Sequence, residues 1–122
     1  MNRVVHFEIP VDNPDRALDF YQKVFGREIT KWEGPVEYWL INTGQEGQPG
    51  IHGGLTRRQP PVQHTTNTVD VSSVDEITVQ ITQNGGAVLT PKMAVPGVGW
   101  MAYCQDPEGN VFGVMQADEN AR

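Results

Sequence analysis

His6 and Glu8 are the residues whose types and spacing point most directly to chemistry. They stand two apart in the segment from Val4 to Val11, where Phe7, Ile9 and Val11 alternate with His6, Glu8 and Pro10, the two-residue period of a half-buried strand. Both polar side chains then project to one face, about 7 Å apart along the strand. An imidazole and a carboxylate so placed can divide general acid and base work on a small bound molecule, each adjusting the other's pKa. The competing reading is structural, with Glu8 balancing His6 or a polar neighbour and shaping a pocket. His64 lies beside a proline-bearing linker and reads as solvated. His52 is adjacent to Gly53, so alternation sends it to the face opposite Gly53. The single cysteine, Cys104, has no partner for an internal disulfide and lies in a strand-like run, where a buried thiol is expected rather than a nucleophile.

The elements that must position these residues occur twice. With position n set beside n + 60, the residues from Val5 to Val11 fall on those from Thr65 to Val71, Gly26 on Gly86, Ile51 on Val111, Gly53 on Gly113 and Leu55 on Met115. Two half-length copies fill the 122 residues, too few and too long for a solenoid, which indicates a duplicated supersecondary module. We expect one domain, 1–122, made of module 1 over about 1–56, a linker over about 57–63 and module 2 over about 64–122.

Within module 1 the first strand is followed by Asn13-Pro14-Asp15, an N-cap, a proline at the first helical position and an early acid. Ala17, Leu18, Tyr21, Val24 and Phe25 then recur at helical spacing up to Gly26, which predicts a helix over 14–25. Segments 28–33, 37–43 and 50–55 read as strands, separated by Gly34-Pro35 and the glycine-bearing stretch 44–50. In module 2, residues 76–82 alternate like a strand, but Ser73-Val74-Asp75-Glu76 is a capping box, Val74, Ile77 and Ile81 share a helical face, and Gly85-Gly86 terminates the segment, so a helix is expected. Segments 87–90, 99–104 and 110–116 supply the matching strands, with Asp106-Pro107-Glu108-Gly109 as a turn. The run 92–99, with Pro96, Gly97 and Gly99, is a candidate flap that reads more simply as a surface connection. Arg57-Arg58-Gln59-Pro60-Pro61 reads as linker, its arginines solvated or rimming an anion site.

The formal net charge of −6, with nine Lys and Arg, excludes the basic footprint that nucleic acid demands. No apolar run reaches the length of a membrane span or signal peptide, so a cytoplasmic protein with no membrane partner is expected.

The tandem strand-helix-strand-strand-strand module, with His6 in its first strand, the helix start Asn13-Pro14-Asp15-Arg16-Ala17-Leu18-Asp19-Phe20-Tyr21 and Asp106-Pro107-Glu108-Gly109-Asn110 before the last strand, resembles the vicinal oxygen chelate superfamily of glyoxalases, bleomycin-resistance proteins and extradiol dioxygenases. The segments 6–10, 50–55, 96–100 and 110–116 are similar to a branch related to lactoylglutathione lyase. The resemblance covers essentially the whole chain. It implies an α+β fold of two βαβββ modules whose curved mixed sheet surrounds a cup, with the helices outside, and a homodimer. It also implies metal ligands on the first and last strands of each module. His6 matches a first-strand ligand, its repeat mate is Thr66, and Gly53 and Gly113 fall on the carboxylate-bearing places. A threonine and two glycines offer no adequate donors where a catalytic divalent ion needs at least three protein ligands. No cofactor is therefore expected, and His52 is placed away from the cup.

Room at Gly53 and Gly113, an apolar floor from Ile51, Leu55, Val111 and Met115, and polar spots at Thr66 and Thr68 would describe a pocket for a small organic ligand. Trp32, Tyr38, Trp39, Trp100 and Tyr103 add aromatic surface, most often core, with Trp100 the candidate to stack on a ligand. Three functions follow. The first is a divergent metal-independent enzyme, lyase- or isomerase-like, using His6 and Glu8. The second is a ligand-sequestering protein of the drug-resistance type. The third is a metal-dependent lyase or dioxygenase with atypical ligands such as Glu8 or His52, the one reading that keeps a divalent metal.

Overall fold

The protein is described by a computed structural model covering residues 1–122. Its strands and helices run in the order β1 (Val4–Val11), α1 (Pro14–Phe25), β2 (Glu28–Lys31), β3 (Trp39–Asn42), β4 (His52–Arg57), β5 (Thr66–Asp70), α2 (Val74–Gln83), β6 (Ala87–Val88), β7 (Met93–Val95), β8 (Gly99–Gln105) and β9 (Val111–Ala117). This is the expected α+β order, and contacts divide it into a first unit, His6–Thr65, and a second, Met1–Val5 with Thr66–Arg122. The first residues of the chain join the second unit because Asn2 N–H donates to the Asp70 carbonyl at 2.7 Å and Asp70 N–H to that of Arg3 at 2.9 Å.

In the first unit β1 pairs in parallel with β4, and β3 runs antiparallel to both β4 and β2. The register sets Phe7 beside Gly53, Ile9 beside Leu55, and Trp39 beside Leu55. Those residues share the face that α1 covers: Val11, Trp39, Ile41 and Leu55 form a buried core against which Ala17, Leu18 and Tyr21 pack. Full burial of a side chain such as Leu55 contributes about 1.5–3 kcal/mol. The helix begins where sequence predicts, with the Asn13 side chain accepting from Arg16 N–H, and it stops at Gly26, whose φ of 64° is left-handed.

The second unit repeats the plan. β5 pairs in parallel with β9, β9 runs antiparallel to β8, and Val71, Val74, Ala102, Cys104 and Val114 make the core under α2. Ser73 caps α2 by accepting from Glu76 N–H, so the helical reading of the alternating segment 76–82 holds.

Two local expectations change, and a third gains detail. β4 starts at His52, not Gly50, because Gly50 has φ 137°, outside strand geometry for other residues, and the strand runs on to Arg57. The run 92–99 is no simple connection: β7 and β8 form a hairpin whose turn has Pro96 at its second position and Gly97, at φ 75°, at its third, with Val98 N–H donating to the Val95 carbonyl at 2.9 Å. The two arginines at the start of the linker are exposed, as expected, and are also both engaged. Arg57 ends β4 in an ion pair with Glu37 at 2.6 Å, and Arg58 binds Asp12 at 3.1 Å and the carbonyls of Gln63 and Pro10. No helix is long and apolar enough to cross a membrane.

Candidate functional site

Register decides which residues meet His6. In the parallel pair β1–β4, His6 lies beside His52 and Glu8 beside Gly54, so His6, Glu8, His52 and Gly54 share the face opposite α1. Gly53 lies beside Phe7 on the helix-covered face, where a side chain at 53 would collide with the Phe7 ring. This corrects two placements read from sequence: His52 stands on the His6 face, and Gly53 and Leu55 do not. Ile51 precedes β4 and gives its carbonyl to the Thr43 hydroxyl at 2.7 Å.

The cause is a one-residue slip in the repeat. Glu8 and Thr68 are related by 60 positions, but their neighbours on the last strands are Gly54 and Gly113, which are related by 59. With the offset of 59, the fully buried Leu55 also falls on the equally buried Val114, as core positions must. The signal was present in the sequence as the doublet Gly53-Gly54, where either glycine can be set against Gly113.

At the centre of the face is a pair that sequence reasoning did not join. The Tyr38 hydroxyl lies 2.7 Å from His6 Nε2, with the two rings 6.4 Å apart at 20°. Tyr38 precedes β3, whose register continues it onto the His6 face, and its phenol end fills the space that a side chain at Gly54 would take. Trp32 N–H holds the Tyr38 carbonyl at 2.8 Å, and the Trp32 ring meets the Tyr38 ring edge-on at 6.4 Å. On β4, His52 Nδ1 accepts from Thr43 N–H at 3.1 Å, which leaves the His52 proton on Nε2. Burial first, and the neighbouring His52 second, hold the His6 imidazole below its ordinary pKa. His6 is therefore neutral at pH 7. Glu8, two residues along the same face, is buried at 6 % exposure.

Elsewhere the candidates separate. In the second unit Thr66, Thr68, Val111, Gly113 and Met115 do share one face, since Thr68 pairs with Gly113 and Asp70 with Met115. The Thr66 hydroxyl is buried there without a hydrogen-bond partner. Trp100 is on the opposite face, packed on the α2 core with its indole N–H on Asp118 at 3.0 Å, so it is not surface for stacking a ligand beside Thr68. Trp39 is likewise core, and Cys104 is buried with its thiol pushed up by burial.

The donors around His6 are few. Its Nε2 is engaged by a phenol, Gly54 offers no side chain, and no three His, Cys, Asp or Glu side chains converge anywhere in the chain. What the face can do is hold a neutral base in contact with a hydroxyl.

The sequence profile of the Glyoxalase/Bleomycin resistance protein/Dioxygenase superfamily matches residues 3–114. The chain is 23% identical over 130 residues to lactoylglutathione lyase from Escherichia coli O157:H7, covering 98% of this chain and 96% of that one, and the relative from Shigella flexneri matches to the same degree. Among solved structures, a methylmalonyl-CoA epimerase bound to methylmalonyl-CoA superposes with a TM-score of 0.69 at 15% identity, covering 99% of this chain and 98% of the other. A Streptomyces coelicolor methylmalonyl-CoA epimerase variant gives a TM-score of 0.71 at 16% identity, covering 100% and 99%. At such identities the structures speak for the fold alone. The profile match spans both repeated modules, and on that ground the chain belongs to the glyoxalase/bleomycin resistance protein/dioxygenase superfamily.

Proposed function

We propose that the protein is a metal-independent acid–base enzyme, lyase- or isomerase-like, that moves a proton at a carbon beside a carbonyl in a small organic substrate, with His6 as the base and Glu8 as its polar neighbour. The observation that carries this reading is the 2.7 Å hydrogen bond between a neutral, half-buried imidazole and the Tyr38 phenol. A base must be unprotonated at working pH to accept a proton, and burial beside His52 favours that state at His6. The names of the similar proteins support the reaction class, because epimerisation at carbon requires a proton to leave and return. The same reading expects a cytoplasmic homodimer, and light scattering on the purified chain tests the dimer.

The test is solvent exchange. Purified protein is incubated with methylmalonyl-CoA and with S-lactoylglutathione in heavy water and EDTA, and deuterium at carbon is followed by mass spectrometry. Incorporation that persists in EDTA and is lost in His6→Gln is the expected result. Incorporation that vanishes with the chelator and returns with a divalent ion overturns metal independence, and incorporation untouched by His6→Gln removes His6 from the chemistry.

The edge-on Trp32–Tyr38 pair beside His6 favours a second reading, sequestration of a planar ligand without turnover. Under it, bleomycin is recovered unchanged from a tight complex that Trp32→Ala weakens, and no deuterium enters any substrate.

A further inference from the structure

We infer that the Tyr38 phenol meets the substrate's proton and that His6 acts by drawing the phenol's own proton away. The inference rests on the acid–base reading above and assigns that reaction's contact with substrate to a residue of a different strand. Two observations and one chemical argument carry it. His6 Nε2 is already met by the Tyr38 hydroxyl at 2.7 Å, so a proton reaches that nitrogen most directly through the phenol. A phenol is a strong donor, and the bare nitrogen of a neutral imidazole is a strong acceptor, so the relay has the bond run from Tyr38 O–H to Nε2, with the His6 proton on Nδ1. Finally, Tyr38 is held in place: its phenol end fills the room left by Gly54, and Trp32 secures both its carbonyl and its ring.

The step balances without a co-reactant. A lone pair of the phenol oxygen forms a new O–H bond to the substrate's proton as the C–H bond breaks, and the C–H electron pair stays on the substrate as an enolate. The original phenol O–H bond breaks with its electrons remaining on oxygen, and its proton forms an N–H bond at Nε2. The products are an enolate, a neutral Tyr38 and an imidazolium at His6. Return of the proton by the same route regenerates all three.

Two measurements test this. Long-range nitrogen–proton NMR of the imidazoles reads the tautomer without any substrate: His6 is expected with its proton on Nδ1 and a bare Nε2, and Tyr38→Phe is expected to shift population toward the Nε2-protonated form. A wild-type His6 protonated on Nε2 overturns the relay, because the phenol would then be accepting. In the deuterium exchange assay, Tyr38→Phe is expected to lose about 10²- to 10⁴-fold, the span of general acid–base catalysis. The double variant with His6→Gln should fall no further than either single one, as for groups that act as a unit. Exchange within about threefold of wild type in a folded Tyr38→Phe overturns the assignment. Should that variant fail to fold, 3-fluorotyrosine at position 38 keeps the ring and hydroxyl while acidifying the phenol, and an unchanged rate with an unchanged Nε2 shift overturns it equally. Wild-type protein that shows the expected tautomer but no exchange brings down the functional reading and leaves the donor direction standing, so the two failures are distinguishable.

Discussion

On the face of the first unit opposite α1, His6, Tyr38 and His52 gather around Gly54; on the corresponding face of the second unit, Thr66, Thr68 and Tyr103 gather around Gly113. The backbone plan is the same and the use made of the glycine differs. At Gly54 the missing side chain is replaced by a phenol that arrives from the neighbouring strand and closes on an imidazole. At Gly113 a side-chain carbon would meet Thr68 Oγ1 at 3.3 Å, a tight contact that a small shift of one side chain relieves. One half of the repeat has brought two imidazoles to a phenol, and the other has set two threonine hydroxyls beside one. A duplicated fold can therefore gather imidazoles in one copy while both copies retain their cores.

The largest effect that sharpens this contrast is on activity. His6→Gln should reduce solvent exchange by about 10²- to 10⁴-fold, since it removes the final proton acceptor. The repeat-related change, Thr66→Val, is read by thermal melting. It deletes a buried hydroxyl that has no partner, so stability should hold or rise by up to about 1 kcal/mol. A marked loss of stability in Thr66→Val would show that the hydroxyl is satisfied and that the two faces are more alike than they look.

The two glycines give the next largest contrast. Gly54→Ala pushes a methyl into the phenol of Tyr38, and either the ring moves off His6 or the site is strained by about 1–3 kcal/mol. Gly113→Ala asks Thr68 to give by only a few tenths of an ångström and should stay within about 0.5 kcal/mol. Urea midpoints measure both, and the His6 imidazole NMR signal reports whether Tyr38 has left. Equal costs at the two positions would break the comparison.

Much of the fold was legible in the sequence because it is written in local signals. Asn13-Pro14 and Gly26 bracket α1 at the predicted residues, and Ser73 outweighed the strand-like alternation of 76–82. The strand hairpin of β7 and β8 was missed because Met93–Val95 is three residues long, too short for a period, although its Pro96-Gly97 turn was in view. The site was less legible for a different reason. His6 and Glu8 follow from alternation on one strand, but the partner of His6 depends on pairing across strands, and a slip of one residue in β4 exchanges the two faces. Gly53-Gly54 allows either alignment, so the offset of 60 placed Gly53 where Gly54 belongs. Tyr38 lies 32 residues from His6, and nothing in its immediate sequence separates it from the core Trp39 beside it.

A third contrast is in pH dependence. The folded-state pKa of His6 is lowered, chiefly by burial and then by His52, so the unfolded chain binds more protons than the folded one as pH falls past the ordinary histidine value. The stabilisation is fully present above that value of 6.5 and is lost as pH falls through the folded-state pKa. Thr66, at the repeat-related position, does not titrate. Wild-type stability from urea melts should therefore drop more between neutral pH and pH 5 than that of His6→Gln, and parallel curves would mean that His6 is no less solvated folded than unfolded.

The two halves look most alike at the helix starts. Asn13 and Ser73 each accept from the N–H three residues on, at 3.1 Å in both cases, so Asn13→Ala and Ser73→Ala should each cost about 1 kcal/mol. The halves part at the next residue. α1 begins with Pro14, which has no N–H to satisfy, whereas α2 begins with the buried Val74, whose N–H donates to the Gln116 side chain at 3.0 Å from strand β9. The second helix is thus tied to its sheet by a bond the first one does not need. Gln116→Ala leaves a buried backbone donor without its partner and should cost about 1–3 kcal/mol in urea denaturation. Combined with Val74→Pro, which removes that donor, the loss should shrink in the double-variant comparison; strict additivity would show that the Gln116 side chain stabilises the unit by some other contact.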